Sequence, residues 1–410
     1  MHPDTPAPPD ATPAAAPGAA AAPATPHGAH LRGAARLATD ATAGLVDLVE
    51  ALHARIASPP GLPVRAGERT TGITGLVYRS IHGVTKLVGG SVDALLRLVE
   101  PQLLRPGAPS AERDALLAAL NGVLGDHLAA SGNPLATPMT LRVHGQDVST
   151  PGALADAGPA LLLQVHGLCM HDGQWLRKGH DHGAWLARTL GFTPVALRYN
   201  SGRAIADNGR DLALQLEDLL DRWPVPLQRC VAIGHSMGGL VLRSALQQAA
   251  ARGLRWPARL QDLVFLGTPH LGAPLERAGH GVDLLLGATP YAAPLARLGR
   301  IRSAGITDLR HGLPADEAPL PPHLRCWAVA ATLGAPEAPL KTRLLGDGLV
   351  PLDSALGRHR DLQRSLDIPA ERHCVVPSLG HLDLLSSEVV ATTLQRWLAA
   401  PPEPAALKSR

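Results

Sequence analysis

The sequence predicts an α/β protein built on a mostly parallel sheet with helices on both faces. From residue 141 onward, short apolar runs alternate with amphipathic stretches of helical period. Strands that are apolar throughout are typical of a parallel sheet buried on both sides. The chain has 410 residues, more than the roughly 250–300 at which one hydrophobic core stops growing, so we expect a second unit.

The apolar runs are the predicted strands, and the stretches between them are the predicted helices. The strands are placed at residues 161–165, 195–199, 230–233, 263–266, 327–331 and 373–376. The helices are placed at residues 185–190, 211–223, 240–250 and 389–398. This alternation predicts a doubly wound order within an α/β domain that spans residues 136–400.

The residues before this domain fall into two parts. Residues 1–31 are rich in Ala and Pro, and we expect a disordered leader because such side chains bury too little apolar surface to offset the entropy of ordering. Residues 32–135 repeat apolar positions at three- and four-residue steps, which predicts amphipathic helices. Two interpretations of these helices stay open: a layer packed on the α/β domain, or a peripheral surface that contacts a membrane, lipid or a partner.

Charge, targeting signals and cysteine pattern argue against several classes of protein. The formal net charge is +3 and the basic residues are scattered, so nucleic acid is not an expected partner. The chain opens without a basic region followed by an apolar core, and no later run of about 18 apolar residues could span a membrane. We therefore expect a cytoplasmic protein. No Cys-x-x-Cys pair is present, so neither a disulfide framework nor a zinc site is indicated.

Ser236 is the predicted nucleophile. It lies at the centre of a Gly-x-Ser-x-Gly pattern over residues 234–238, between a predicted strand and a predicted helix. A sharp strand-to-helix turn exposes the serine hydroxyl above the sheet edge, and the glycines leave room for that turn. Because the short pattern also arises by chance, the strand-turn-helix context carries this interpretation.

A second turn is predicted to supply an oxyanion hole. The strand at residues 161–165 runs into His166-Gly167-Leu168. In acyl transfer the carbonyl oxygen becomes an oxyanion, which backbone N–H groups stabilise. The residue after the nucleophile and a residue of this first turn are the expected donors, namely Met237 and Leu168.

The serine needs a base, and the base needs a carboxylate that orients it. Asp347 lies on a glycine-flanked loop after the strand at residues 327–331, and it is the predicted acid, with Asp353 as the alternative. His381 follows the strand at residues 373–376 and is the predicted base. His373 lies within that strand, so we expect it to pack.

Two other groups of residues are candidates for a site. The His180-Asp181-His182 triplet has no further ligand cluster near it in sequence, and a loop that begins a helix explains it better than a metal site. No metal is therefore expected at these residues. Residues 275–322 interrupt the alternation with prolines and glycines and predict a cap inserted between strands. Its apolar residues Leu285, Leu286 and Tyr291 are the predicted contacts for substrate.

These motifs resemble those of bacterial lipases and esterases of the α/β-hydrolase superfamily, particularly the branch similar to GPI inositol-deacylases. Two further motifs are typical of that group: Gly-Thr-Pro-His-Leu-Gly-Ala-Pro at residues 267–274 and Gly-Asp-Gly-Leu-Val-Pro at residues 346–351. The resemblance spans about residues 160–398. It implies an α/β-hydrolase fold, the triad Ser236, Asp347 and His381, a carboxylic-ester substrate and no cofactor.

The predicted function is therefore that of a carboxylic ester hydrolase, an esterase or lipase that acts on small-molecule or lipid esters of apolar acyl groups. A serine acyltransferase shares the acyl-enzyme and differs only in excluding water from the second step. A lipid-binding or scaffold protein that keeps the fold without turnover is the alternative from another class. A complete triad in the expected chain order argues against that alternative, because a binding module needs no acid and base at those positions.

Overall fold

The computed structural model of the chain describes residues 110–273, 303–313, 318–335 and 346–399. The predicted leader, the helices predicted before residue 110 and most of the predicted cap lie outside the described residues. Leu285, Leu286 and Tyr291 are among them, so their role stays a prediction.

A sheet of eight strands forms the centre of the protein. The strands are β1 (Thr140–Val143), β2 (Gln146–Asp147), β3 (Ala160–Val165), β4 (Thr193–Arg198), β5 (Arg229–His235), β6 (Asp262–Leu266), β7 (Arg325–Thr332) and β8 (His373–Pro377). Their order is β2-β1-β4-β3-β5-β6-β7-β8. Strands β3 to β8 pair in parallel, and β1 is antiparallel to both of its neighbours. The mostly parallel sheet confirms the predicted fold class.

Seven described α-helices are arranged around this sheet. They are α1 (Ser110–Ala130), α2 (His182–Leu190), α3 (Ile205–Asp221), α4 (Met237–Arg252), α5 (Ala304–His311), α6 (Leu352–Ala355) and α7 (Glu388–Ala399). Apolar residues of α1, α3 and α4 form one core with Leu161 and Leu163 of β3, while α2 and α7 pack with Leu162 on the opposite face. The sheet is thus covered on both sides, as predicted.

All six predicted strands are present, but β1 and β2 are absent from the prediction. β1 is half-buried, with Leu141 and Val143 facing the core and Arg142 between them, and β2 has only two residues. Neither is long enough to produce a clear apolar run. The two nevertheless extend the sheet through the antiparallel pairing of β1 with β4.

Helix α3 begins six residues before its predicted start at residue 211. The stretch before that residue is polar and includes Gly209. Such a pattern is typical of a turn. In the structure a Cβ at Gly209 would overlap the Ser244 hydroxyl of α4. The glycine therefore allows two helices to pack closely, and it does not end α3.

Part of the segment predicted as a cap packs on the body of the domain. Ser303 caps α5 by accepting a hydrogen bond from Ile306 N, and its hydroxyl donates to the Gly122 carbonyl of α1 at 2.7 Å. The Asp308 carboxylate of α5 accepts a hydrogen bond from Ile205 N at the start of α3. Residues 303–313 are thus fixed to two helices of the core.

Among the described helices, none combines the length and the apolarity that a membrane span requires.

Buried histidines make the stability of this fold dependent on pH. Burial lowers the pKa of His166 and of His182 from 6.5 to about 4. The unfolded chain then binds more protons than the folded chain between these values, so the free energy of unfolding falls as the pH drops from 6.5 to about 4. We expect the fall between pH 7 and pH 5, measured by urea unfolding, to be smaller in His182→Gln than in the wild type. The exposed-site variant His323→Gln is the control, and an equal fall in all three proteins would contradict the prediction.

Candidate active site

Ser236 occupies a strained turn between β5 and α4. Its backbone has φ 54° and ψ −125°, a left-handed conformation that costs free energy for any residue other than glycine. The turn is held by a hydrogen bond from Ser236 N to the Leu266 carbonyl of β6, at 2.8 Å. This is the strand-turn-helix geometry that the sequence predicts for a nucleophile.

Two glycines of the predicted pattern are required by close approach of the backbone. A Cβ at Gly234 would lie 2.6 Å from Gly239 Cα, where strand and helix meet. A Cβ at Gly238 would overlap the Val165 carbonyl at the end of β3. The absence of these side chains lets the start of α4 rest on the strand that leads into the predicted oxyanion turn.

Asp347 and His381 form a buried pair. His381 Nδ1 lies 2.6 Å from Asp347 Oδ2, and each residue is 1% exposed. The other carboxylate oxygen, Oδ1, accepts hydrogen bonds from the backbone N–H groups of Leu349 and Val350. The carboxylate is thus fixed in orientation, and it favours the tautomer of His381 that carries its proton on Nδ1. That tautomer leaves Nε2 free to accept a proton.

The pair lies beside Ser236. A Cβ at Gly267, the residue after Leu266, would lie 3.1 Å from the His381 ring, so the imidazole packs over the end of β6 to which Ser236 is bonded. His381 Nε2 is buried and makes no hydrogen bond with a described residue. A hydrogen bond between base and nucleophile is often loose before substrate binds.

His235 contacts the candidate base directly. The rings of His235 and His381 lie 4.9 Å apart, and His235 Nε2 is 3.3 Å from the His381 carbonyl oxygen. Burial above all, together with the nearby Arg177 guanidinium, lowers the pKa of His235 well below its ordinary value. His235 thus packs against His381.

The predicted oxyanion turn passes next to the nucleophile. A Cβ at Gly167 would lie 3.0 Å from Ser236 Cβ. The turn is anchored by Tyr199, whose hydroxyl donates to the His166 carbonyl at 2.8 Å and whose ring stacks on the His166 imidazole. No described group accepts a hydrogen bond from Leu168 N–H. Met237 begins α4, and the first N–H groups of a helix have no partner within it.

Helix α1 supports this turn from behind. Cys169, the residue after Leu168, has φ 59° and donates its N–H to the Ser201 hydroxyl at 3.0 Å. A Cβ at Gly122 of α1 would overlap Cys169 Sγ. The sequence reasoning missed both Gly122 and Ser201, because contacts between segments so distant in the chain leave no local signal.

The alternative candidates lie elsewhere. Asp353 is exposed in a surface cleft lined also by Arg358, His359 and Arg360, and no hydrogen bond joins its carboxylate to a described histidine. His373 pairs with Arg358 through a contact of 2.7 Å and does not reach Asp347. The structure therefore places Asp347, and not Asp353, beside His381.

The His180-Asp181-His182 triplet has a structural environment. Asp181 caps α2 by accepting a hydrogen bond from Ala184 N at 3.0 Å. His180 Nε2 contacts His182 Nδ1 at 2.9 Å, and His182 Nε2 donates to the Leu384 carbonyl at 2.8 Å. Both imidazoles are thus engaged in fixing this loop and its helix against the loop that carries His381.

Comparisons with known proteins give one family match. The model of the PGAP1-like alpha/beta domain family matches residues 211–309, a stretch that includes the Ser236 turn. No curated protein matches the sequence.

Three solved structures illustrate the likeness. The mature lipase BlEst2 of Bacillus licheniformis is 17% identical, with 64% of this chain and 98% of that chain covered and a TM-score of 0.43. Lipase B of Aspergillus fumigatus is 13% identical over 64% and 61% of the two chains, with a TM-score of 0.37. The RedJ thioesterase of the prodiginine pathway in Streptomyces coelicolor is 15% identical over 62% and 96%, with a TM-score of 0.35.

Because these scores are all low, the fold is assigned from the sheet itself: its strand order, its antiparallel edge and the turn after β5. The chain has the α/β-hydrolase fold, and the match over residues 211–309 confirms its resemblance to the PGAP1-like branch of that superfamily.

Proposed function

We propose that the protein is a serine hydrolase that cleaves carboxylic esters of apolar acyl groups through an acyl-enzyme. The observation that carries this proposal is the buried Asp347–His381 pair, held beside the strained turn of Ser236. A carboxylate, an imidazole and a serine hydroxyl at one sheet edge, in this chain order, are the groups that ester cleavage needs.

Each group has one role in the first half of the reaction. Ser236 Oγ attacks the carbonyl carbon of the ester while His381 Nε2 takes the hydroxyl proton. The positive charge that forms on the imidazole is stabilised by Asp347, whose second oxygen is already held by two backbone N–H groups. The oxyanion of the tetrahedral intermediate accepts hydrogen bonds from the N–H groups of Leu168 and Met237. The C–O bond of the ester then breaks, and His381 gives its proton to the departing alcohol.

Water completes the second half. His381 Nε2 takes a proton from a water molecule, whose oxygen attacks the acyl carbon, and the same two N–H groups hold the second oxyanion. Collapse of this intermediate returns the proton to Ser236 Oγ and releases the carboxylic acid. No cofactor enters any of these steps.

A panel of p-nitrophenyl esters from acetyl to decanoyl tests the proposal. Each buried methylene contributes about 0.8 kcal/mol, so we expect kcat/KM to rise by roughly tenfold for every two carbons until the acyl pocket is filled. Leu285, Leu286 and Tyr291 remain the predicted acyl contacts, and Leu285→Trp should shift the optimum to shorter chains. A flat profile that Leu285→Trp leaves unchanged would contradict the preference for apolar acyl groups, and no release of p-nitrophenol would contradict hydrolysis altogether.

A further inference from the structure

A cleft of about 370 Å³ opens between the oxyanion turn and the loop that carries His381. Met170, Gln174, Leu176, Arg177, Lys178 and Leu382 line it. Met170 follows Leu168 by two residues, and Leu382 is the direct neighbour of His381. The cleft thus borders the two segments that carry Leu168 and His381, although neither of these residues lines it.

The cleft contains more positive than negative charge. Lys178 Nζ lies 2.7 Å from Asp383 Oδ1, and Arg177 Nε lies 4.0 Å from the same oxygen. Two cations therefore share one carboxylate. Arg177 Nε is buried and makes no hydrogen bond with a described residue, and the Lys178 ammonium, with three donors, remains largely exposed.

The loop presents these cations in a fixed geometry. Arg177 and His180 exchange two backbone hydrogen bonds, of 2.8 and 2.9 Å, across a two-residue turn. Lys178 in that turn has φ 49°, and Gly179 has φ 77°. The tight turn places the Lys178 side chain at its tip, so little loop entropy needs to be lost when an anion binds.

Apolar side chains line the remainder of the cleft. Leu176 is 63% exposed, while Met170 is buried. A ligand that suits these walls has a short apolar stem that ends in a negative charge. The charge of Arg177 also reaches the catalytic centre, since it contributes to the lowered pKa of His235.

We propose that this cleft binds an anionic group of the substrate, so that the preferred esters carry a carboxylate or phosphate on a short apolar stem near the scissile carbonyl. This proposal rests on the proposed ester hydrolysis and adds a selective feature to it. Lys178 is the positioning cation, with Arg177 as the second partner of the anion.

Two ester pairs test the proposal, and in each pair one member carries a carboxylate where the other carries a neutral group. The first pair is p-nitrophenyl hydrogen adipate and p-nitrophenyl hexanoate, which places the anion on the acyl side. The second pair is the hexanoyl ester of 4-hydroxybenzoate and that of its methyl ester, which places the anion on the alcohol side. At low ionic strength we expect kcat/KM to favour the anionic member of at least one pair by about fivefold, and added salt to reduce that ratio.

Three variants test whether this cleft causes the ratio of kcat/KM between the anionic and the neutral ester. Lys178→Gln should lower the ratio by about fivefold relative to the wild type, and Lys178→Arg should retain it, since the charge is kept. Arg360→Gln removes an exposed cation from the separate cleft that contains Asp353, and it should leave the ratio at the wild-type value. A wild-type ratio of one or less in both pairs, or a ratio that Lys178→Gln does not change, would overturn the proposal. Release of p-nitrophenol from the neutral hexanoate still supports ester hydrolysis in that event, so the two proposals fail separately.

Discussion

Replacing Ser236 by alanine is expected to abolish ester hydrolysis and to leave the fold intact. The hydroxyl oxygen forms the bond to the acyl group, so its loss should lower kcat by about five to six orders of magnitude. The same oxygen makes no hydrogen bond with a described residue, and alanine keeps the Cβ that packs beside Gly167. Removal of the hydroxyl therefore leaves no buried partner unsatisfied.

Turnover of p-nitrophenyl hexanoate, labelling by a fluorophosphonate probe and thermal unfolding provide the measurements. Ser378→Ala is a matched control, because Ser378 is an exposed serine that also has a left-handed backbone, with φ 55°. We expect that control to retain activity and labelling. Labelling of Ser236→Ala as strong as that of the wild type would mean that another residue is the nucleophile.

Replacing Asp347 by asparagine is expected to cost about 10⁴-fold in kcat, because the histidine would then be held in the wrong tautomer. The backbone N–H groups of Leu349 and Val350 donate to Oδ1, so the amide oxygen of asparagine should remain in that position. Its NH₂ group then faces His381 Nδ1 and donates to it. The proton of the imidazole is moved to Nε2, which can no longer act as a base.

His381→Ala should produce a comparable loss by removing the base itself. Asp353→Asn and His373→Ala are the matched controls, since both lie outside the buried pair, and each is expected to stay within about twofold of the wild type. Steady-state kinetics with one p-nitrophenyl ester measure all four variants. If Asp353→Asn were as damaging as Asp347→Asn, the assignment of the acid would be wrong.

The sequence predicts those features of the fold and the candidate site that depend on residues close together in the chain. Apolar runs identified the six central strands, and the turn at Ser236 was recognisable because strand, glycines and helix follow one another directly. Asp347 and His381 were predicted because each follows a recognisable strand, and parallel strands bring their carboxyl ends to one edge of the sheet.

The features of the site that the sequence did not predict depend on contacts between distant segments of the chain. Tyr199 anchors the oxyanion turn through a hydroxyl that could equally have reached water, and Ser201 accepts from Cys169 across the sheet edge. His235 contacts His381 although 146 residues separate them. Burial and ring orientation decide such pairs, and neither can be read from periodicity.

The position of α1 determines how the chain can be divided. This helix precedes the segment that resembles known hydrolases, yet Leu120 and Leu128 are buried in the same core as β3 and β5. A fragment that begins at residue 136 would expose that core to water. The free energy of unfolding would fall by about 1.5–3 kcal/mol for each large apolar side chain that is no longer covered. The exposed apolar surface would also promote aggregation. The fragment would also leave Cys169 without the helix behind it. A fragment designed for expression therefore needs to begin before Ser110. Substitutions in α1 are expected to affect the same folded unit that carries the candidate active site.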